Sequence, residues 1–345
     1  MLIETNVEVN LRSIEEFTRV MVSELLEDKV NFEILKENNL IKIKVKSEKL
    51  NKNTEFSYID LGNKIEDQIL TMCKISLLKL LNKKYDWGSL MGVRPTKVLR
   101  RLLINGCDYK EARKILKDFY LVTDEKINLM ETVVKKELEF LDKEHINLYI
   151  GIPFCPTKCK YCSFASYEIN GGVGRFYNDF VEALLKEIQI VGDFLKTYSK
   201  KVSSIYFGGG TPSTLTEEDL ERVLKKLLEN IEMSDVKEFT FEAGREDSLN
   251  IKKLEIMKKY FVDRISLNPQ SFNLETLKRV NRRFNRENFD LIFKEAKKLE
   301  FIINMDLIIG LPEETTEEIL ETLSQLKDYN IDNLTIHCLA FKRAS

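Results

Sequence analysis

Residues 147–164 read NLYIGIPFCPTKCKYCSF: an apolar run ending in Pro153 and Phe154, then three cysteines at 155, 159 and 162. The run is the first of six. VSSIYFGG (202–209), EFTFEAG (238–244), DRISLNPQ (263–270), FIINMDLIIG (301–310) and NLTIHCLAF (333–341) follow. Amphipathic stretches such as RFYNDFVEALLKEIQIVGDFLK (175–196) and EEDLERVLKKLLENI separate them. Short apolar runs alternating with helices predict strands buried on both faces of a parallel sheet. Six βα units with right-handed crossovers curl into an open, partial barrel. The fold class is therefore α/β, a partial six-stranded parallel (β/α) barrel over 146–345.

The chain before it has a different texture. Residues 1–145 are rich in Lys and Glu. NLIKIKVKS (39–47) alternates as a half-buried strand does. Helical periodicity marks 14–28, 66–84, KEARKILKDF and EKINLMETVVKKELEFL. A small α+β accessory domain with a helical connector is expected there. Its odd stretch is WGSLMGVRPTKVLRRLL (87–103), where Gly88, Gly92, Arg94 and Pro95 open a basic helix.

Bulk composition excludes several classes. The 345 residues are 43% apolar, enough to bury a sizeable core. With 54 basic and 56 acidic residues the net charge is −2, so nothing draws the chain globally to nucleic acid or anionic membrane. No apolar run reaches membrane-spanning length, and the first residues lack the pattern of a signal peptide. Six cysteines in a chain this long do not make a disulfide framework, which points to a reducing, cytoplasmic setting where clustered thiols are metal ligands.

In such sheets, ligands bind at the carboxyl ends of the strands, and the informative residues sit there: Cys155, Gly208 to Pro212, Glu242, Gln270, Asp306 and Ala340. A structural zinc site needs four ligands, and Cys73, Cys107 and Cys338 are isolated. A four-iron cluster normally takes four cysteines; held by three, one iron keeps a position open for another ligand. The plainer alternative is a free-thiol loop or a partial zinc knuckle. The glycines of YFGGGTPS let backbone approach a ligand closely, although an ordinary turn reads the same way. Glu242 is a strand-end carboxylate that could instead be a helix cap. Gln270, Arg282 and Asp306 could each be satisfied polar groups at strand ends.

Together, C-x3-C-x-Tyr-C, GGGTP, FTFEAGRED, the Gln270…Arg282 pair and NMDLIIGLPEET resemble the radical S-adenosylmethionine (SAM) superfamily. Residues 147–345 look most like its oxygen-independent coproporphyrinogen III oxidase branch, in the bacterial coproporphyrinogen dehydrogenase subgroup. The resemblance implies that Cys155, Cys159 and Cys162 carry a 4Fe–4S cluster whose open iron chelates SAM. It implies SAM contacts from Tyr149, Tyr161, Gly209, Gly210, Thr211, Glu242, Gln270, Arg282, Asp306 and Ala340. It implies one-electron cleavage of SAM to a 5′-deoxyadenosyl radical, a tetrapyrrole substrate and a reduced flavodoxin- or ferredoxin-type donor. The family reaction would decarboxylate two propionates of coproporphyrinogen III to give protoporphyrinogen IX.

Arg245, Arg283, Lys342 and Arg343 are candidates for the substrate carboxylates, with plain surface charge as the alternative. His337 is expected to be a packed core histidine. Trp87 and Arg94 are candidates for a substrate lid or for interdomain packing. Two departures weaken the assignment of substrate. Phe164 stands where the best-characterised oxidases have a further cysteine, and Gly151 where a histidine is usual. A haem chaperone or haem-trafficking protein on the same scaffold is the alternative, as is another radical SAM reaction on tetrapyrroles. The C-terminal domain of relatives is expected to be missing after FKRAS.

Overall fold

Val30, Phe32 and Ile34 alternate with more exposed neighbours along one strand, and Ile41, Ile43 and Val45 do the same along the next. That period-2 pattern builds the first sheet. The computed structural model describes residues 2–21, 30–59, 65–90, 94–140 and 145–339. Its four-stranded sheet has the order β1 (Leu2–Thr5), β2 (Val30–Glu37), β3 (Leu40–Ser47), β4 (Lys52–Ile59). β1 runs parallel to β2, and the other pairs are antiparallel. Helices α1 (Leu11–Met21), α2 (Ile65–Leu80), α3 (Thr96–Ile104), α4 (Tyr109–Asp118) and α5 (Asp124–Leu138) complete the unit Met1–Leu141. Only β3 of the four strands is anticipated by the sequence reading above. The expected helix over 14–28 begins at Leu11, and its residues 22–28 lie outside the described ones. Pro95 precedes the basic α3, Arg94 before it has φ +72°, and Gly92 lies outside the described residues.

The second unit, Asp142–Ser345, carries a six-stranded sheet. Its strands are β5 (His145–Ile152), β8 (Lys201–Gly209), β9 (Glu238–Phe241), β10 (Arg264–Ser266), β11 (Ile302–Ile309) and β12 (Asn333–Cys338). All pair in parallel and in chain order, as successive βα units dictate. A two-stranded ladder, β6 (Phe154–Cys155) with β7 (Tyr167–Glu168), lies between β5 and β8 in sequence. The helices are α6 (Tyr177–Thr197), α7 (Glu217–Asn230), α8 (Ile251–Lys259), α9 (Leu274–Arg279), α10 (Arg286–Lys298) and α11 (Thr316–Gln325). Thr216, Asn250, Asn273, Asn285 and Thr315 each cap a helix by accepting a backbone N–H. Such caps fix where each loop ends and its helix begins, and losing one costs about 1 kcal/mol.

The expectation of burial on both faces holds for the short central strands β9 and β10, whereas β5, β8 and β11 bury one face and β12 neither. One face packs on the helices: Ile205, Phe207, Phe239, Phe241, Ile303 and Met305 are buried with Val181, Leu184, Leu220 and Leu224. Phe207 stacks on Phe239 and Phe241 at 5.9 and 5.2 Å between centroids. The opposite face is polar. Ser204 Oγ donates to Asn147 Oδ1 at 2.8 Å, and Tyr149 stacks on Tyr206 at 5.7 Å. Thr335 Oγ1 donates to Asn304 Oδ1 at 3.2 Å. A sheet that curls around an open lumen needs an apolar exterior under its helices and a wettable interior. The last strand, β12, is exposed along its whole length, so His337 is exposed rather than packed in the core. No helix among the described residues is long and apolar enough to cross a membrane.

Candidate active site at the carboxyl ends of the barrel strands

β5 ends at Ile152, and the chain turns through Pro153 into the cysteine loop. Two sets of backbone bonds hold the loop at its base. Tyr167 N donates to Pro153 O at 2.8 Å and Ile169 N to Cys155 O at 2.9 Å. From the neighbouring strand, Gly210 N donates to Ile152 O at 2.8 Å and Thr211 N to Phe154 O at 2.7 Å. Phe154 anchors the turn from below, with its ring edge-on to Tyr177 and Phe180 at 5.5 and 5.4 Å. The far side of the loop is tied to the segment after α9. Lys160 N donates to Val280 O at 2.9 Å, and Asn281 Nδ2 to Lys158 O at 2.9 Å.

This arrangement opens a cleft of about 700 Å3, counting its solvent-filled mouth, within the usual range of small-molecule sites. Of the residues singled out in the sequence, Cys155, Cys159, Tyr161, Cys162, Gly209, Gly210, Thr211, Glu242, Gln270, Arg282 and Asp306 line it. Tyr149 does not. It is 64% exposed and stacks on Tyr206, whose hydroxyl bonds Glu242, so it stands one ring removed from the cleft. Ala340, Lys342 and Arg343 lie outside the described residues. Trp87 belongs to the first unit and packs against that unit's own core.

The three thiols differ in surroundings. Thr211 Oγ1 donates to Cys155 Sγ at 3.3 Å. Burial pushes the Cys155 thiol above its ordinary range, and hydrogen bonds from Thr211 and Ser166 oppose this. Cys159 lies against two guanidinium groups: Arg245 Nη1 is 3.9 Å from its sulfur, and Arg282 is its second basic neighbour. Cys162 is half-buried. Among the described residues, no three His, Cys, Asp or Glu side chains are placed to hold a single metal ion. Three cysteines that each bind a different iron of a cluster need not meet at one point, whereas ligands of one zinc must.

Behind the cleft-lining Glu242, Tyr206 donates its hydroxyl proton to Glu242 Oε1 at 2.5 Å. Burial pushes the Glu242 carboxyl up; the Tyr206 bond pulls it down, and Asp306 pushes it up again. Gln270 has a left-handed backbone, φ +67°, held between Asp306 O and Ile308 N. Its Oε1 is buried in the cleft with no hydrogen-bond partner. A strained residue that also buries an unsatisfied acceptor is poised for a ligand donor. Arg282 spends Nη2 on the carbonyls of Gly244 and Asn268, while its buried Nε has no partner.

Asn268, Gly244, Thr157 and Ser166 also line the cleft and are not singled out by sequence reasoning. Asn268 had a signal, since it lies two residues before Gln270 on a strand end, and its Oδ1 accepts Asp306 N at 3.1 Å. Arg245 overturns an expectation. It is 3% exposed and fully committed to internal partners, so it is not a free cation for substrate carboxylates. Arg283 remains exposed.

A partial parallel barrel with three cysteines in the loop after its first strand, facing an unsatisfied polar cradle, defines a protein built around an iron–sulfur cluster and a small polar cofactor. The sequence profile of the radical SAM superfamily matches residues 149–326, just over half of the chain, and the chain belongs to that superfamily. Its cofactors are a 4Fe–4S cluster and SAM. Within the superfamily it fits the coproporphyrinogen III oxidase-like branch. It is 42% identical over 266 residues to the oxygen-independent coproporphyrinogen-III oxidase-like protein HemZ of Bacillus subtilis, covering 75% of this chain and 53% of that protein. It is 30% identical over 197 residues to the haem chaperone HemW of Buchnera aphidicola (subsp. Schizaphis graminum), covering 57% of this chain and 51% of the chaperone. The solved coproporphyrinogen III oxidase of Escherichia coli, a radical SAM enzyme, superposes with a TM-score of 0.53 at 27% identity, over 59% of this chain and 46% of that one. The chain spans about half the length of the curated relatives it matches.

Proposed function

We propose that this chain is the core of a radical SAM oxidoreductase acting on a tetrapyrrole, and that its reaction is the oxidative decarboxylation of coproporphyrinogen III. The observation that carries the reading is the extent of similarity to the B. subtilis oxidase-like protein. That match is longer than the whole second unit, so it reaches into the first. The match to the haem chaperone is short enough to lie within the second unit.

In this reading Cys155, Cys159 and Cys162 hold the cluster. Gly209, Gly210, Thr211, Glu242, Gln270, Arg282, Asp306 and Tyr161 form the SAM cradle. The fit rests on the cleft itself: the Gln270 Oε1 and Arg282 Nε atoms await partners, and Glu242 is held in place by Tyr206. With both bound, cluster and SAM supply abstraction of a hydrogen atom from unactivated carbon. Glu242 and Asp306 accept hydrogen bonds from hydroxyl or ammonium groups, and Gln270 offers both an acceptor and a donor. On the substrate, loss of one hydrogen atom from a propionate arm, of carbon dioxide and of one electron to an acceptor leaves a vinyl group. Exposed Phe164, which lines the cleft, offers an apolar surface to a substrate ring.

The test is anaerobic incubation of the reconstituted chain with SAM and dithionite, using coproporphyrinogen III in one arm and haem in the other. Vinyl-bearing product in the first arm supports the oxidase reading. Stoichiometric haem binding with no vinyl product overturns it in favour of the chaperone, and a ring-opened product from haem overturns it in favour of another tetrapyrrole reaction.

A further inference from the structure

Arg245 is one of the most deeply buried charges of the second unit, and it sits behind the cysteine loop. The turn after β9 carries it there: Arg245 N donates to Ala243 O at 2.7 Å, and Ser248 Oγ donates to Arg245 O at 3.1 Å. Its guanidinium is divided between two tasks. Nε and Nη2 grip the Asp247 carboxylate at 2.9 and 2.6 Å, a fork-to-fork pair. Nη1 points the other way, donating to both Thr157 O and Thr157 Oγ1 at 3.0 Å and lying 3.9 Å from Cys159 Sγ. The carboxylate is thus behind the cation, on the side that is 22% exposed, and the cation faces the sulfur.

A buried ion pair confers little stability by itself, because desolvation offsets the attraction. A pair oriented end-on to a metal-binding thiolate does something else. Hydrogen bonds and positive charge at cluster sulfurs stabilise the reduced, more negative form and raise its potential. Arginine keeps its charge at every working pH, so the effect is constant.

We propose that Arg245 is a positioning residue that fixes the cysteine loop at Thr157 and raises the reduction potential of the cluster through the Cys159 sulfur, with Asp247 as the counter-charge that limits the rise. The inference rests on the cluster that the superfamily uses and not on the choice of tetrapyrrole, so it stands or falls separately from the oxidase reading.

The experiment is an anaerobic potentiometric titration of the reconstituted full chain, without substrate, in which the reduced cluster is read by electron paramagnetic resonance. Arg245→Met removes the charge and keeps the bulk. At a fixed potential its ratio of reduced to oxidised cluster should fall about tenfold, equivalent to a downward shift of about 59 mV for a one-electron couple. Asp247→Asn leaves the cation without its counter-charge, and its potential should rise. Mere loosening of the loop admits water and would move both variants in the same direction. An unchanged potential in Arg245→Met, or shifts of the same sign in both, overturns the proposal. If Arg245→Met fails to hold iron, Asp247→Asn decides alone: a rise supports the proposal and no shift overturns it.

Discussion

The Tyr206 hydroxyl lies 2.5 Å from Glu242 Oε1, tying β8 to the cleft-lining carboxylate that follows β9. Tyr149 stacks on the same tyrosine ring. A carboxylate gripped by one neighbouring side chain and pushed by burial is sensitive to the loss of that neighbour. Tyr206→Phe is expected to keep the fold and the iron but weaken SAM binding by about tenfold, the worth of one charge-assisted hydrogen bond. Equilibrium binding of SAM to the reconstituted protein measures it; unchanged affinity would show that Glu242 needs no such support.

The same carboxyl gives a pH dependence. Burial raises its folded-state pKa, so ionising it costs more in the native chain than in the unfolded one. That cost is absent below the unfolded value, appears as pH rises through the carboxylate range and is complete above the folded pKa. Glu242→Gln removes it. The melting temperature of the apo variant relative to the parent should therefore rise as pH goes from about 4 to about 7. A constant or falling difference would contradict the burial argument.

The glycine loop separates two kinds of close approach. A Cβ on Gly210 would lie 2.7 Å from Phe154 O and 3.1 Å from Cys155 Sγ, so the space it would fill belongs to the chain's own cysteine loop. On Gly208 the nearest atoms are the Tyr149 hydroxyl and the Tyr206 ring, both at 2.8 Å, and these are side chains that can swing away. Gly210→Ala should cost about 1–3 kcal/mol and lose iron. Gly208→Ala should keep its iron. Iron content and thermal unfolding of the two variants check the contrast, and equal iron retention would refute it.

Iron stoichiometry also tests the ligand set. Cys155→Ala, Cys159→Ala and Cys162→Ala should each lose essentially all reconstituted cluster. Cys73→Ala should not, since Cys73 is buried in the core of the other unit. Neither should Cys338→Ala, because Cys338 is exposed on the edge strand. A full complement of iron in any of the first three would remove that residue from the set.

Much of the second unit could be read before its structure. The six strands stand where apolar runs alternate with helices, and the cysteines, Glu242, Gln270 and Asp306 share one cleft because parallel strands present their carboxyl ends on one side. The polar inner face was harder to see. Asn147, Tyr149, Ser204, Tyr206 and Thr240 do alternate with the core residues, but the aromatic rings make the runs look apolar throughout. In β2, Val30, Phe32 and Ile34 alternate, but Leu35 beside Ile34 breaks the pattern and Glu33, Lys36 and Glu37 are side chains equally common in helices. Nothing local marks Arg245 as internal. Asp247 is a near neighbour in sequence, but the burial depends also on Thr157, 88 residues away, which only the folded partial barrel brings within 3.0 Å.

Gln270 is where stability and ligand binding should oppose one another. Its φ of +67° suits glycine, and a longer side chain tolerates it at a cost of about 1 kcal/mol. The backbone bonds from Gln270 N to Asp306 O and from Ile308 N to Gln270 O survive any side chain at this position. Gln270→Gly removes the strain and the unsatisfied Oε1 together. The gain exceeds the extra entropy that glycine loses on folding, so the apo protein should become more stable by about 1 kcal/mol, a rise of a few degrees in Tm. SAM affinity should fall at the same time, because the cleft has lost the group held ready for it. The two measurements are thermal unfolding of apo protein and SAM binding to the reconstituted one. A less stable variant that binds SAM as tightly as the parent would mean that Gln270 is a structural residue, and that the orphaned oxygen finds water rather than ligand.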